Sequence, residues 1–209
     1  MLLFLRHCSL TTIWRLSLFL FAAFVVSSLA ACSPEGPKFR STDLTGADFG
    51  KQLALSAHDG KPRALADFRG KLVVLFFGYT HCPDVCPTTL ADMAGVMKVL
   101  GKDAERVQML FVTLDPERDT PEVLRQYVPA FDARFLGLYG DAAATQRAAK
   151  EFKIFYEKRP GSAAGAYTVD HSAQIYVLDA TGQLRLFMRQ ERIAQDLAED
   201  LRTLLRAGG

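Results

Sequence analysis

"KLVVLFFGYTHCPDVCPTTL", Lys71 to Leu90, is the stretch on which the fold turns. Its first half is a continuous apolar run rich in Val and Phe, the pattern of a strand buried on both faces. Its second half places Cys82 and Cys86 four positions apart, each followed by a proline. Leu90, Met93, Met97 and Leu100 then recur at helical spacing. Pro87 suits the first turn of that helix, where its missing N–H would be unpaired anyway. The stretch reads as strand, thiol-bearing loop, helix. The carboxyl end of a strand is where open α/β sheets build their sites.

Working outward, "RVQMLFVTLD" (106–115) is a second buried strand, and Thr120-Pro121-Glu122 has the form of an N-cap, N1 and N2. "DAAATQRAAKEF" (141–152) predicts a further helix. "SAQIYVLD", the turn "ATGQ" and "LRLFMR" (172–189) predict a hairpin, and a last amphipathic helix carries Ile193, Leu197, Leu201 and Leu204 on one face. On the other side, "QLALSAHDGKPRAL" (52–65) predicts a small hairpin turning at Asp59-Gly60, with His58 exposed beside it. Two β-to-helix crossovers, an antiparallel hairpin and a closing helix resemble the thioredoxin-like arrangement. The expected class is α/β, a thioredoxin-like fold with an N-terminal β extension and a central mixed sheet flanked by helices.

The N-terminus reads differently. Arg6 and Arg15 are the only charged residues before Glu35, His7 aside, and Leu16 to Ala31 is free of charge. That run of sixteen residues falls short of the roughly 18–20 that cross a bilayer as a helix, and suits the apolar region of a secretory signal. "LAAC", Leu29 to Cys32, resembles the bacterial lipobox, whose cysteine is lipidated and becomes the new N-terminus; an uncleaved N-terminal helix is the alternative. The expected organisation is a lipoprotein-type signal peptide over 1–31, a linker over 32–48 and one domain over 49–209, facing the periplasm of a bacterial cell envelope and held to a membrane. Without the leader, 23 basic residues face 23 acidic ones, and nothing points to nucleic acid. Cys8 leaves with the leader and lipid blocks Cys32, so Cys82 and Cys86 are the thiols left for chemistry.

Three uses compete for them. A structural disulfide would close a loop of about five residues, worth only about 2 kcal/mol on the chain-entropy formula. A redox pair on this fold typically has two intervening residues and an acidified first thiol. Here there are three, Asp84 is among them, and no Lys or Arg lies between Gly78 and Leu90. Redox relatives also carry a cis-proline before the hairpin, where this chain has "AYTVDHSAQIYV" (166–177) and His171. Two thiolates and an imidazole suit copper, as Cu(I) or Cu(II), and coordination itself displaces the thiol protons. Structural zinc usually takes a fourth ligand. His81 is the rival to His171, and Met93 and Met97 read as core.

"GYTHCPDVCPTTL" (78–90), "TLDPERDT" (113–120) and "YTVDHSAQIYVLD" (167–179) together resemble the SCO/SenC copper proteins, membrane-tethered thioredoxin-like domains that assist assembly of cytochrome c oxidase. The resemblance runs from about Phe49 to the closing helix. It implies copper held by Cys82, Cys86 and His171, with Cys82 and Cys86 able to form a redox disulfide and no catalytic residue beyond them. Asp170 is expected to hydrogen-bond His171, and Asp115 to position or gate the site. The implied function is that of a metallochaperone, with a thiol–disulfide reductase acting on cysteines of oxidase subunit II as the alternative. Its implied partners are subunit II or another respiratory oxidase, a periplasmic copper donor or thiol reductant, and the membrane through the anchor.

Overall fold

The computed structural model describes Trp14 and residues 36–161 and 165–208. The leader (Trp14 apart) and Cys32 lie outside the described residues. Pro37–Gly209 forms one compact unit.

Ten strands and four α-helices follow one another among the described residues. Thr42–Asp43 (β1) and a hairpin of Ala54–Ala57 (β2) and Pro62–Ala64 (β3) precede the buried strand Leu72–Gly78 (β4). Then come Val85–Leu100 (α1), Val107–Thr113 (β5), Pro121–Tyr127 (α2), Leu136–Tyr139 (β6) and Ala142–Glu151 (α3). Tyr156–Pro160 (β7), Tyr167–His171 (β8), Gln174–Leu178 (β9), Leu184–Arg189 (β10) and Ala198–Arg206 (α4) complete the unit. Eight strands form one mixed sheet in the order β1-β10-β9-β4-β5-β6-β2-β3, while β7 and β8 form a separate two-stranded sheet.

β4 lies at the centre because all seven of its residues are buried, and only a strand covered on both faces tolerates that composition. It runs parallel to β5, Leu72 opposite Val107 and Gly78 opposite Thr113, and antiparallel to β9. Met93, Val96 and Met97 of α1 meet Leu197 and Leu201 over Val74 and Met109 of the sheet, so the first and last helices cover the same face. The two methionines are core residues as expected. At the outer edge, Asp200 accepts the backbone N–H groups of Arg40 (2.8 Å) and Ser41 (2.9 Å), seating the segment that leads into β1.

Several expectations change. The closing helix buries Ile193, Leu197, Leu201 and Leu204, but it starts with a wide π-type turn over Ile193–Leu197. β6 carries only four residues, "LGLY", too short for a periodic signal. A Cβ at its Gly137 would stand 3.1–3.3 Å from Val128, Leu124 and His58, so the glycine allows α2 to pack close. His58 is buried rather than exposed: its Nδ1 accepts the Gly137 N–H at 3.0 Å, and burial holds its pKa below the usual value.

Candidate metal centre

β4 ends at Gly78 and hands the chain to a loop, Tyr79 to Asp84, that delivers both sulfurs to the start of α1. Asp84 is the N-cap, yet its side chain makes no capping bond. The Cys82 sulfur takes that role, accepting the Cys86 N–H at 3.4 Å. A helix start presents unpaired N–H groups and a positive dipole end, so a sulfur there is favoured as thiolate. The Cys82 thiol is lowered to about 3: the Cys86 thiol donates to it first, and His171 and the Asp84 and Cys86 amides assist against the cost of burial. Cys86 is fully buried and its pKa is pushed up, first by that shared proton and then by desolvation. The couple is thus a thiolate at Cys82 and a thiol at Cys86. The Cys86 thiol and then the His171 ring do for Cys82 what no Lys or Arg of the loop does, and the Asp84 and Cys86 amides add to it.

His171 arrives from the far end of β8. Its Nε2 lies 3.6 Å from the Cys86 sulfur, and its Nδ1 lies 3.0 Å from the Ser172 carbonyl. A carbonyl only accepts, so that contact places a proton on Nδ1 and turns Nε2 toward the sulfurs. Tyr79 stands edge-on to the ring at 6.0 Å and Phe76 lies at 6.3 Å. Gly78 makes the space: a Cβ there would sit 2.8 Å from the Cys86 sulfur and 2.9 Å from Phe111. Both cysteines are free.

Asp170 does not touch the ring. Neighbours on a strand point to opposite faces, and Asp170 points outward to Arg159 (3.2 Å), leaving the Ser172 carbonyl to fix the tautomer. His81 is half exposed, beside Thr80 (3.1 Å) and Asp119 (3.7 Å). Asp115 is fully buried, receives the Arg118 Nε and the Tyr167 hydroxyl (2.8 Å), and so acts on β8 rather than on the sulfurs.

The residue that sequence reasoning missed is Asp119. One carboxylate oxygen accepts the Thr80 amide (2.9 Å) and the Thr113 hydroxyl (2.6 Å), and the other accepts the Thr80 hydroxyl (2.6 Å). It therefore ties the cysteine loop to the end of β5. The signal was present in "TLDPERDT", but an acid just before Thr120-Pro121 reads as part of a helix start.

The donors are soft and converge, with Gly78 holding open the space beside Cys86, and such a set fits a thiophilic ion. Among the described residues no group of three or more His, Cys, Asp or Glu is already spread as a metal cage; the sulfurs and the ring contact one another instead. Two surface clefts of about 570 and 440 Å³ lie along β2, β3 and α3, away from these donors.

The family described as SCO1/SenC matches residues 41–206. The mouse mitochondrial SCO2 homolog is 38% identical over 152 residues, 72% of this chain and 60% of that protein. The human mitochondrial SCO1 homolog is 30% identical over 159 residues, 75% of this chain and 53% of that protein. The chain thus spans little more than half the length of these relatives. Among solved structures, copper-bound ScoI of Bradyrhizobium japonicum is 37% identical with a TM-score of 0.69, covering 75% of this chain and 99% of that one. Apo Sco1 of Thermus thermophilus is 40% identical with a TM-score of 0.72, covering 80% and 98%. The fold is thioredoxin-like.

Proposed function

The chain belongs to the SCO1/SenC family, and from that premise we propose that it is a copper-binding accessory protein of cytochrome c oxidase assembly. The observation that carries the reading is the meeting of Cys86 and His171, 85 positions apart in sequence, at 3.6 Å, with the Cys82 sulfur against both. Cys82 and Cys86 hold the copper as thiolates and His171 Nε2 completes the set. Both sulfurs bind as thiolates, so loading displaces thiol protons from the pair. The copper-bound structures of the Bradyrhizobium and yeast relatives support copper as the cargo. Its destination is subunit II of the oxidase or another respiratory oxidase, supplied by a periplasmic copper donor or kept reduced by a thiol reductant.

The same proposal includes a leader over 1–31, a linker over 32–48 and the copper-binding domain over 49–209, the end of the linker being the stretch that pairs with β10 through Thr42 and Asp43. Lipid on Cys32 holds the domain to the periplasmic side of the envelope, an uncleaved N-terminal helix being the other form of the same tether. Among the described residues no helix is long and apolar enough to cross a membrane.

A second reading has its own observation. A partly exposed thiolate at Cys82 beside a buried thiol at Cys86 is also the arrangement of a dithiol reductant. Cys82 attacks a disulfide of the target, Cys86 displaces the target thiol, and a Cys82–Cys86 disulfide remains. Titration of the reduced protein with Cu(I) against a competing chelator separates the two. One copper per chain is expected, with the sulfur-to-copper absorption of the Cu(II) form absent from a Cys82→Ser/Cys86→Ser double variant and affinity weakened by about tenfold or more in His171→Ala. Non-stoichiometric copper, with disulfide reductase activity that survives His171→Ala, overturns the copper reading.

A further inference from the structure

β8 brings His171 to the sulfurs, yet it is not part of the main sheet: its backbone ladder is with β7, Tyr156 opposite His171 and Pro160 opposite Tyr167. Side chains make the tie to the fold instead. The Arg118 guanidinium lies 3.6 Å from the centre of the Tyr167 ring, and its Nη1 donates to the Tyr167 carbonyl at 3.0 Å. Its Nε donates to Asp115, whose other oxygen accepts the Tyr167 hydroxyl at 2.8 Å. The same guanidinium is 5.8 Å from the Tyr79 ring. Tyr79 in turn is hydrogen-bonded to the backbone of Val169 and stands edge-on to His171. Tyr167, Val169 and His171 share one face of β8, because side chains two apart on a strand point the same way. A grip on Tyr167 therefore sets the line of a segment about 13 Å long that ends at the imidazole.

We propose that Arg118 is a positioning residue for His171, acting through Tyr167 and Tyr79 to hold the imidazole against the cysteine sulfurs. Its neighbour Asp119 serves the other half of the site by holding Thr80 and the cysteine loop. Two consecutive residues between β5 and α2 thus reach the two sides of the centre. The planar fork is essential: a lysine at 118 keeps the charge but loses the stacked face and the simultaneous bonds to Asp115 and Tyr167. The consequence for metal binding rests on the copper reading above; the positioning itself does not.

The test compares Arg118→Lys and Tyr167→Leu with Tyr167→Phe, which keeps the stacked ring, and with Asp119→Asn. In the metal-free, reduced protein, NMR follows the His171 ring protons, which sense the Tyr79 ring, and the exchange of the Val169 amide. Arg118→Lys and Tyr167→Leu are expected to move the His171 resonances toward solvent values and to speed Val169 exchange by about tenfold or more. Tyr167→Phe stays near wild type, and Asp119→Asn disturbs the Thr80 and Cys82 resonances while leaving Val169 protected. With Cu(II), the first two variants keep sulfur ligation but lose nitrogen coupling in the electron paramagnetic resonance spectrum. Unchanged His171 and Val169 signals in both Arg118→Lys and Tyr167→Leu overturn the proposal, whatever copper does. Should Arg118→Lys fail to fold, the Tyr167→Leu and Tyr167→Phe comparison decides alone. Altered metal-free signals in a protein whose wild type shows no nitrogen coupling uphold the positioning role and remove the copper reading instead.

Discussion

At the scale of single residues, the two thiols differ because one faces the N-terminus of a helix and the other is sealed beneath it. The sign of the consequence is fixed by the direction of each shift. The Cys82 pKa is lowered to about 3, so its thiolate persists as pH falls from neutrality and is lost only as pH approaches 3. Iodoacetamide should therefore modify Cys82 of the reduced, metal-free protein at a nearly constant rate from pH 7 down to pH 5, whereas an ordinary cysteine slows by about a hundredfold over those two units. Peptide mapping should find Cys86 unmodified until the chain is unfolded. A rate for Cys82 that falls tenfold per unit would show that Cys86, His171 and the amides of the loop do not hold a thiolate. Cys82, Cys86 and His171 were named from the sequence as candidate donors, and the fold brings the three side chains together. The proton distribution was not legible there, because it comes first from the Cys86 thiol laid against Cys82 and then from the His171 ring, contacts that exist only in the folded chain.

At the scale of elements, caps that use side chains were legible and those that use geometry were not. Thr120 accepts the Val123 amide and Asp141 the Ala144 amide, as their residue types suggest. The other end of α3 is a different case. Lys153 adopts φ +52°, with its own N–H bonded to Lys150 and the Ile154 N–H to Ala149, the bond pattern of a Schellman stop. Glycine is usual there, and the lysine instead places its ammonium 4.0 Å from the centre of the Phe49 ring. Lys153→Gly relieves the left-handed backbone but loses that contact and loosens the unfolded chain, so it should change unfolding free energy by less than about 0.5 kcal/mol. Lys153→Val keeps the strain, adds a β-branched side chain and loses the contact, and should cost about 1–2 kcal/mol. Urea denaturation of both variants measures this; equal stabilities would mean that the turn relaxes out of the left-handed region. β7 and β8 escaped the sequence reading for a related reason. β7 reads Tyr-Glu-Lys-Arg-Pro, with three charges in a row, and β8 Tyr-Thr-Val-Asp-His; neither has an apolar run, and the partner of each strand is the other.

For the whole molecule, the first and last described segments are tied at one place. Asp200 on α4 is buried and accepts two amides and the Ser41 hydroxyl from the chain entering β1, while Asp196 pairs with Arg192 and lies 3.9 Å from Arg40. A buried carboxylate so used cannot be removed without leaving donors unpaired. Asp200→Ala should lower stability by about 1–3 kcal/mol. Amide exchange should accelerate first at Leu44, whose N–H bonds Arg185 beside β1, before it does so in β4. Uniform acceleration through the central strands would instead show that this edge unfolds with the core.

The main strands and helices, the burial of β4 and β5 and the apolar face of the closing helix were set by local pattern: periodicity, turn chemistry and residue type act over a few positions and can be read there. What only the tertiary structure decided were relations across long separations. Asp119 grips Thr80 from 39 positions away, and Arg118 reaches Tyr167 across 49. Asp170 turns away from the ring it was expected to hold, Gly78 opens the space for a sulfur, and His58 is drawn under Gly137. A carboxylate or a guanidinium reads the same in sequence whether it caps a helix, faces water or bridges two loops. Its role is fixed by which backbone donors the folded chain leaves unpaired beside it, and that is a property of the closed structure.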